Sequence, residues 1–267
     1  MSEKSFLFVP GNRPERFDKA CAAGADAVIL DLEDAVAPAG KEAAREAVRR
    51  WLDDGGRAWL RVNGTDTPWH DEDLALLSLE GVLGVMLPKA ERADDLQALA
   101  RVARSGTPLV PLVETALGLW NARELASVSS VQRLAFGSVD FQVDLSIQGD
   151  GEELLFARSQ LVLASRVAGV LPPVDGVTVA IDDDAGLQED VARARRLGFG
   201  GKLCIHPRQV PAIQSGFRPP PADLEWARRV IEAADTAGHD AVRLEGKLVD
   251  KPVIARARAL LHEASIA

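Results

Sequence analysis

The stretch "AVILDLEDAV" (27–36) sets three acids, Asp31, Glu33 and Asp34, into a run whose apolar residues otherwise read as a buried strand. A buried carboxylate with no partner is costly or takes up a proton, so these acids need counter-ions. Polar residues recur at the ends of the other apolar runs. Asn12 follows "SFLFV", Arg61 and Asn63 close "RAWLRVN", Lys89 closes "VLGVMLPK", Glu114 ends "PLVPLVE", Gly137 and Asp140 follow "VQRLAF", and His206 follows "GKLCI". In an extended strand Asp31 and Glu33 share one face and Leu30 and Leu32 the other. Arg61 and Lys89 are the natural counter-ions, Arg offering a planar fork suited to carboxylates. For Asp31, deepest in its run, a structural ion pair is expected; Glu33, Asp34 and Arg61 are catalytic candidates. No Arg or Lys adjoins Glu114 or Asp140. Two carboxylates of that kind suit a hard cation such as Mg²⁺, which keeps other positions for water or substrate oxygen. Two solvated acids are the alternative reading. His206, just before Pro207, reads as a structural histidine.

These residues share a site only if their runs are strands whose same ends meet. Apolar runs of strand length at 5–9, 27–33, 57–63, 82–89, 108–115, 131–138, 174–181 and 201–207 alternate with segments of helical period, giving eight strand-plus-helix units. Continuous apolar strands divided by helices imply a parallel sheet buried on both faces. Eight units match the α/β TIM (β/α)8 barrel, whose chemistry sits at the carboxyl ends of the strands. An open doubly wound sheet is the rival, but no GxGxxG follows the first strand. The barrel is expected over 1–217. A C-terminal extension is expected over 218–267, with a Pro-initiated helix, a hairpin turning at Gly246 and a basic helix "VIARARALLHEA".

The 267 residues are 47% hydrophobic and 27% charged, the balance of an ordinary globular protein. The apolar run Phe6 to Val9 is too short for a signal-peptide core or membrane span, so a cytoplasmic protein without a membrane partner is expected. The net charge of -9 and the lack of a basic, aromatic-interleaved stretch argue against nucleic acid. Cys21 and Cys204 have neither disulfide nor zinc spacing and are expected to be buried thiols.

Read in order, "FLFVPGNRPERFDKA", "DAVILDLEDAV", "LRVNGTDTPW", "VMLPKAE", "PLVETALGLWNA", "LAFGSVDF", "LLFARSQLVLASR", "GFGGKLCIHPRQV" and "EGKLVDKPVIARAR" cover nearly the whole chain. With these strings the sequence resembles the HpcH/HpaI aldolase and citrate lyase β-subunit superfamily, in particular its citrate-lyase-β-like acyl-CoA lyases. The resemblance implies a TIM barrel that cleaves a short 3-hydroxy dicarboxylyl-CoA, malyl or citramalyl, into acetyl-CoA and a 2-oxo acid. It also admits a citrate lyase β-subunit acting on a citryl thioester, and a non-catalytic CoA-binding protein on the same barrel. It puts Mg²⁺ on Glu114 and Asp140, the substrate carboxylate on Arg61, and the oxo-acid carboxylate on amides near Gly137 and Ser138. Asp250, in itself an ordinary hairpin acid, matches a proton donor or acceptor that one subunit of a homotrimer (or hexamer) offers its neighbour. Arg13, Arg16 and Lys19 become candidates for the phosphates of CoA, with a solvated helix face as the alternative. Citrate lyase β-subunits tend to carry an acid before the metal-binding Asp; Val139 stands there, which favours a substrate smaller than a citryl ester.

Overall fold

The computed structural model describes residues 3–236, 242–244 and 246–266. They form two compact units, divided between Gln214 and Ser215. In the first, eight strands pair in parallel and in sequence order: β1 (Ser5–Pro10), β2 (Ala27–Asp31), β3 (Ala58–Arg61), β4 (Val82–Leu87), β5 (Leu109–Val113), β6 (Ala135–Phe136), β7 (Val174–Asp175) and β8 (Gly201–Cys204). β8 pairs with β1 through Ser5–Lys202, Phe6–Leu203 and Leu7–Cys204, so the sheet closes. The open-sheet alternative is excluded, and the fold is a TIM barrel.

Helices α1 (Phe17–Ala22), α2 (Lys41–Asp53), α3 (His70–Asp73), α4 (Ala93–Val102), α5 (Ala116–Trp120), α6 (Ala122–Ala126), α7 (Ser138–Leu145), α8 (Leu155–Ala168), α9 (Asp184–Leu197) and α10 (Val210–Gly216) follow the strands. The sequence explains several of their limits. α9 starts where the Asp183 side chain accepts from the Gly186 amide and stops at Gly198 with φ 99°. α2 buries a stripe at 41, 44, 48 and 52, the spacing of one helical face.

Inside the barrel Phe6, Ile29, Trp59, Met86, Val110, Ala135 and Leu203 make the core. Trp59 lies edge-on to Phe6, ring centroids 6.0 Å apart. Its indole fills the space in front of Gly84, where a Cβ would overlap the ring. That is why an inward-facing position of β4 carries no side chain.

Three expectations need correction. β6 and β7 are two-residue strands rather than runs over 131–138 and 174–181. The chain leaves the sheet at Gly137, which begins the turn into α7, and at Gly176, which lies against Ser138. α7 itself is an extra helix ahead of α8. Cys204 is buried but Cys21 is exposed, because α1 turns Phe17 and Ala20 inward and the next position outward.

The second unit contains α11 (Pro221–Thr236), the antiparallel strands β9 (Val242–Leu244) and β10 (Lys247–Val249), and α12 (Lys251–Ile266). Ala227, Val230, Ala234, Val249, Ile254 and Ala257 form its own core. Gly246 takes φ 78° in the expected turn; residues 239–241 and 245 of that hairpin, and the ends of the expected helices at 237–238 and 267, lie outside the described residues.

Candidate active site

Parallel register places Asp31 of β2 beside Arg61 of β3. Arg61 donates from Nε and Nη2 to the two oxygens of Asp31 at 2.7 and 2.6 Å, a bidentate pair. Its Nη1 lies 3.1 Å from Glu33 Oε2, and Lys89 Nζ holds Glu33 Oε1 at 2.6 Å. The guanidinium also rests over the Phe8 ring, 4.5 Å from its centroid. Burial weighs against the charge of Arg61, but Asp31 and Glu33 outweigh it and raise its pKa. Lys89 is raised likewise: burial opposes its charge, and Glu33 followed by Glu114 prevails. Asp31 in addition accepts from the amides of Glu33 and Ala35 at 2.9 and 3.2 Å, so the acidic turn folds around its carboxylate.

A second group holds this turn from behind, and the sequence reading missed it. Lys41 Nζ donates to the carbonyls of Leu32 and Glu33, both at 2.7 Å, and to Asn63 Oδ1 at 2.6 Å. Asn63 donates from its amide and Nδ2 to Asp73, which also takes Arg45 Nε. Asn63 is therefore bound into the frame. A signal for Lys41 existed: it occupies the buried stripe of α2, where an apolar residue is the norm.

Glu114 follows β5 directly and is 2% exposed. Its Oε1 accepts the backbone amide of Lys89 at 2.7 Å, a contact made by a left-handed Lys89 with φ 46°. Gly137 faces the same carboxylate, and a Cβ there would overlap it; this position must be glycine for Glu114 to keep its place. Burial, then the charges of Asp140 and Glu33, push the Glu114 carboxyl up to about 8. Asp140 stands in the first turn of α7, where the leading amides have no intrahelical acceptor.

Asp31, Asp34, Arg61, Glu114, Gly137, Ser138, Val139 and Asp140 meet at one cavity of about 270 Å³. The acids outnumber the cations. Asp31, Glu33, Asp34, Glu114 and Asp140 face Arg61 and Lys89, five against two, an excess of acid that favours a bound cation. Among the described residues no three His, Cys, Asp or Glu cluster as a complete ligand set. Two carboxylates with the remaining positions open fit a hard ion such as Mg²⁺ better than zinc.

Other candidates lie elsewhere. Arg13, Arg16 and Lys19 are exposed in and before α1, as is Asn12, and none is among the described residues lining the cavity. Arg13 Nε pairs with Glu15 at 2.6 Å, and Arg16 lies 3.8 Å from the same carboxylate. His206 caps the turn Pro207–Gln209, its Nδ1 accepting from the Arg208 amide. Asp250 belongs to the second unit, where its Oδ1 accepts from the Val253 amide at 3.3 Å at the start of α12.

Comparison with known proteins identifies the family of the chain. The chain is 38% identical over 280 residues to a citrate lyase subunit beta-like protein of Deinococcus radiodurans, covering 98% of this chain and 97% of that one. It is 36% identical over 270 residues to a (3S)-malyl-CoA thioesterase of Cereibacter sphaeroides, covering 98% and 94%. The crystal structure of the protein CitE from Mycobacterium tuberculosis in complex with magnesium, acetoacetate and coenzyme A superposes with a TM-score of 0.87 at 36% identity, over 99% of this chain and 98% of that one. Residues 4–207, the barrel with the acidic turn, Arg61 and the Glu114–Asp140 pair, match the profile of one family, and the chain therefore belongs to the HpcH/HpaI aldolase/citrate lyase family.

Proposed function

We propose that this protein is a Mg²⁺-dependent carbon-carbon lyase that cleaves a short 3-hydroxy dicarboxylyl-CoA, of malyl or citramalyl type, into acetyl-CoA and a 2-oxo acid. The observation that carries this reading is the under-compensated pair of buried Glu114 and half-buried Asp140 beside Arg61 at one cavity. Held by these two carboxylates, Mg²⁺ would supply Lewis acidity toward a hydroxyl or carbonyl oxygen.

The chain's own residues do the rest. The Ser138 amide, opening α7, receives the carboxylate next to the reacting carbon, while the Gly137 amide is held by the Val113 carbonyl at 2.9 Å and fixes the turn. Asp34, exposed at the cavity, takes the hydroxyl proton, while Glu33 keeps Arg61 and Lys89 in register. As the C–C bond breaks, its electron pair passes to the thioester enolate, and Arg61 sets fixed positive charge nearby. Asp250 of a neighbouring copy in a homotrimer returns a proton to the enolate carbon. Exposed Trp120, Val143 and Phe156 give the barrel unit an apolar surface consistent with assembly in the cytoplasm. Arg13, Arg16 and Lys19 supply cations for the CoA phosphates.

The relative described as a malyl-CoA thioesterase supports a second reading, hydrolysis of the thioester at the same site. One experiment separates them: the purified chain is incubated with Mg²⁺ and a panel of 3-hydroxyacyl-CoA esters. Acetyl-CoA with a 2-oxo acid is the expected outcome. Free CoA with an intact hydroxy acid selects the thioesterase. A panel without product sinks both and leaves a subunit acting on a carrier-protein thioester or a binding protein, whereas normal turnover by Glu114→Ala would overturn the metal role given to that carboxylate.

A further inference from the structure

The closed order of the barrel splits the rim of the cavity into an arc that carries all of its charge and an arc that carries none. Around β2 to β6 lie Asp31, Asp34, Arg61, Glu114 and Asp140, with Leu112, Phe136 and Val139 among them. Around β7, β8 and β1, which are neighbours in the ring, the lining is Val177, Leu203, Ile205 and Phe8. The charged side chains on that second arc turn away from the cavity. Lys202 donates to the Gly176 carbonyl at 2.7 Å, and Asp175 accepts from Arg158 of α8 at 3.0 Å. Among the described residues lining the cavity Arg61 is the only cation, and Asp31 and Glu33 already engage it through all three of its nitrogens.

We propose that the 2-oxo acid released here is a monocarboxylate bearing an alkyl substituent, and that Val177, Leu203 and Ile205 select it. The inference rests on the lyase reading and narrows its substrate to 3-hydroxyacyl thioesters with an alkyl group, not a second carboxylate or hydrogen, on the hydroxyl carbon. One carboxylate of the oxo acid has a place, at the metal pair and the start of α7. A second would face either the acids of the first arc or the apolar wall of the second, and neither offers it a partner. Hydrogen leaves the apolar wall uncovered, whereas a methyl or ethyl group fills it, a difference of one methylene-sized contact.

The test is titration calorimetry of the Mg²⁺-loaded full chain with pyruvate, 2-oxobutanoate, glyoxylate and freshly dissolved oxaloacetate. Pyruvate or 2-oxobutanoate should bind about 10-fold more tightly than glyoxylate, the lower end for one methylene in an apolar pocket. Oxaloacetate should bind at least about 100-fold more weakly than pyruvate, as expected for a buried carboxylate without a counter-ion. Val177→Lys should improve oxaloacetate relative to pyruvate by about 10-fold or more by supplying that counter-ion. Ile205→Lys at the more exposed end of the wall is the second variant should the first not fold. Oxaloacetate matching pyruvate in the unaltered chain, glyoxylate matching pyruvate, or no oxo acid binding at all would overturn the proposal. The expected binding order in a protein that cleaves none of the esters would overturn the lyase reading alone.

Discussion

Two clusters of buried charge lie within the barrel unit, and they are balanced differently. Between β7, β8 and the helices α8 and α9, Arg158, Arg193 and Lys202 face Asp150, Asp175 and Asp190, three against three. Arg158 alone holds Asp175 at 3.0 Å and Asp150 by both its carbonyl and its carboxylate, at 2.7 and 2.8 Å. At the cavity five acids face two cations, and Glu114 is driven toward its neutral form. A balanced cluster is complete without a ligand and serves the frame. The unbalanced one keeps a charge deficit that substrate chemistry can use.

The sharpest way to break this contrast is to neutralise one member of each cluster. Glu114→Gln should lower turnover with an acyl-CoA ester by about 10³-fold, close to 4 kcal/mol of barrier. Thermal or urea unfolding of the metal-free variant should show no loss of stability, since the amide removes a carboxylate that burial disfavours. Arg158→Met should do the reverse. Stranding Asp175 and Asp150 should cost about 3 kcal/mol in urea unfolding, while kcat per folded molecule changes little. Equal destabilisation by both substitutions would erase the distinction.

Next in size is a proton effect. The native state holds a proton on Glu114 up to about pH 8, while the unfolded chain releases it near its ordinary value of 4.5. Between those values the folded protein binds more protons, so this group's contribution to metal-free stability should fall as pH rises and level off above about 8. Binding of Mg²⁺ in the same window should release a proton, read by calorimetry in buffers of different ionisation enthalpy. No release at pH 7 would contradict the imbalance. The smallest effect belongs to the exposed cations: Arg16→Ala or Lys19→Ala should weaken CoA binding only about 2- to 5-fold, and less at high salt, since surface charges are screened.

Mixing gives a further check on Asp250. Inactive Asp250→Asn and Glu114→Gln chains, unfolded and reassembled together, should regain about a quarter of the activity if the acid crosses between copies of a closed ring. No recovery would place Asp250 within its own subunit, and full activity of Asp250→Asn by itself would place it outside the chemistry.

The cavity cluster was more legible in the sequence than the frame cluster. Asp31, Glu33, Arg61, Lys89, Glu114 and Asp140 stand at the ends of apolar runs, and a parallel barrel brings like ends together whatever the loops do. Arg158, by contrast, sits inside an ordinary-looking helical segment, where an arginine reads as solvated; only packing of α8 on β7 buries it to 1% exposure. Lys41 and its partners Asn63 and Asp73 are likewise joined across 22 and 10 residues. The two-residue strands β6 and β7 and the helix α7 were missed because glycines at 137 and 176 end the strands early. Each does so to admit a neighbour, Glu114 or Ser138, that no local pattern announces.

Lys89 ties the two halves of the cavity together, its amide on Glu114 and its ammonium on Glu33, and does so in a left-handed backbone state that a glycine would adopt at no steric cost. Lys89→Gly would relax that backbone and spare the amide on Glu114, yet it would take the ammonium from Glu33 where acids already exceed cations. A designer who straightens this turn for stability would lose more at the neighbouring carboxylate than the turn gives back.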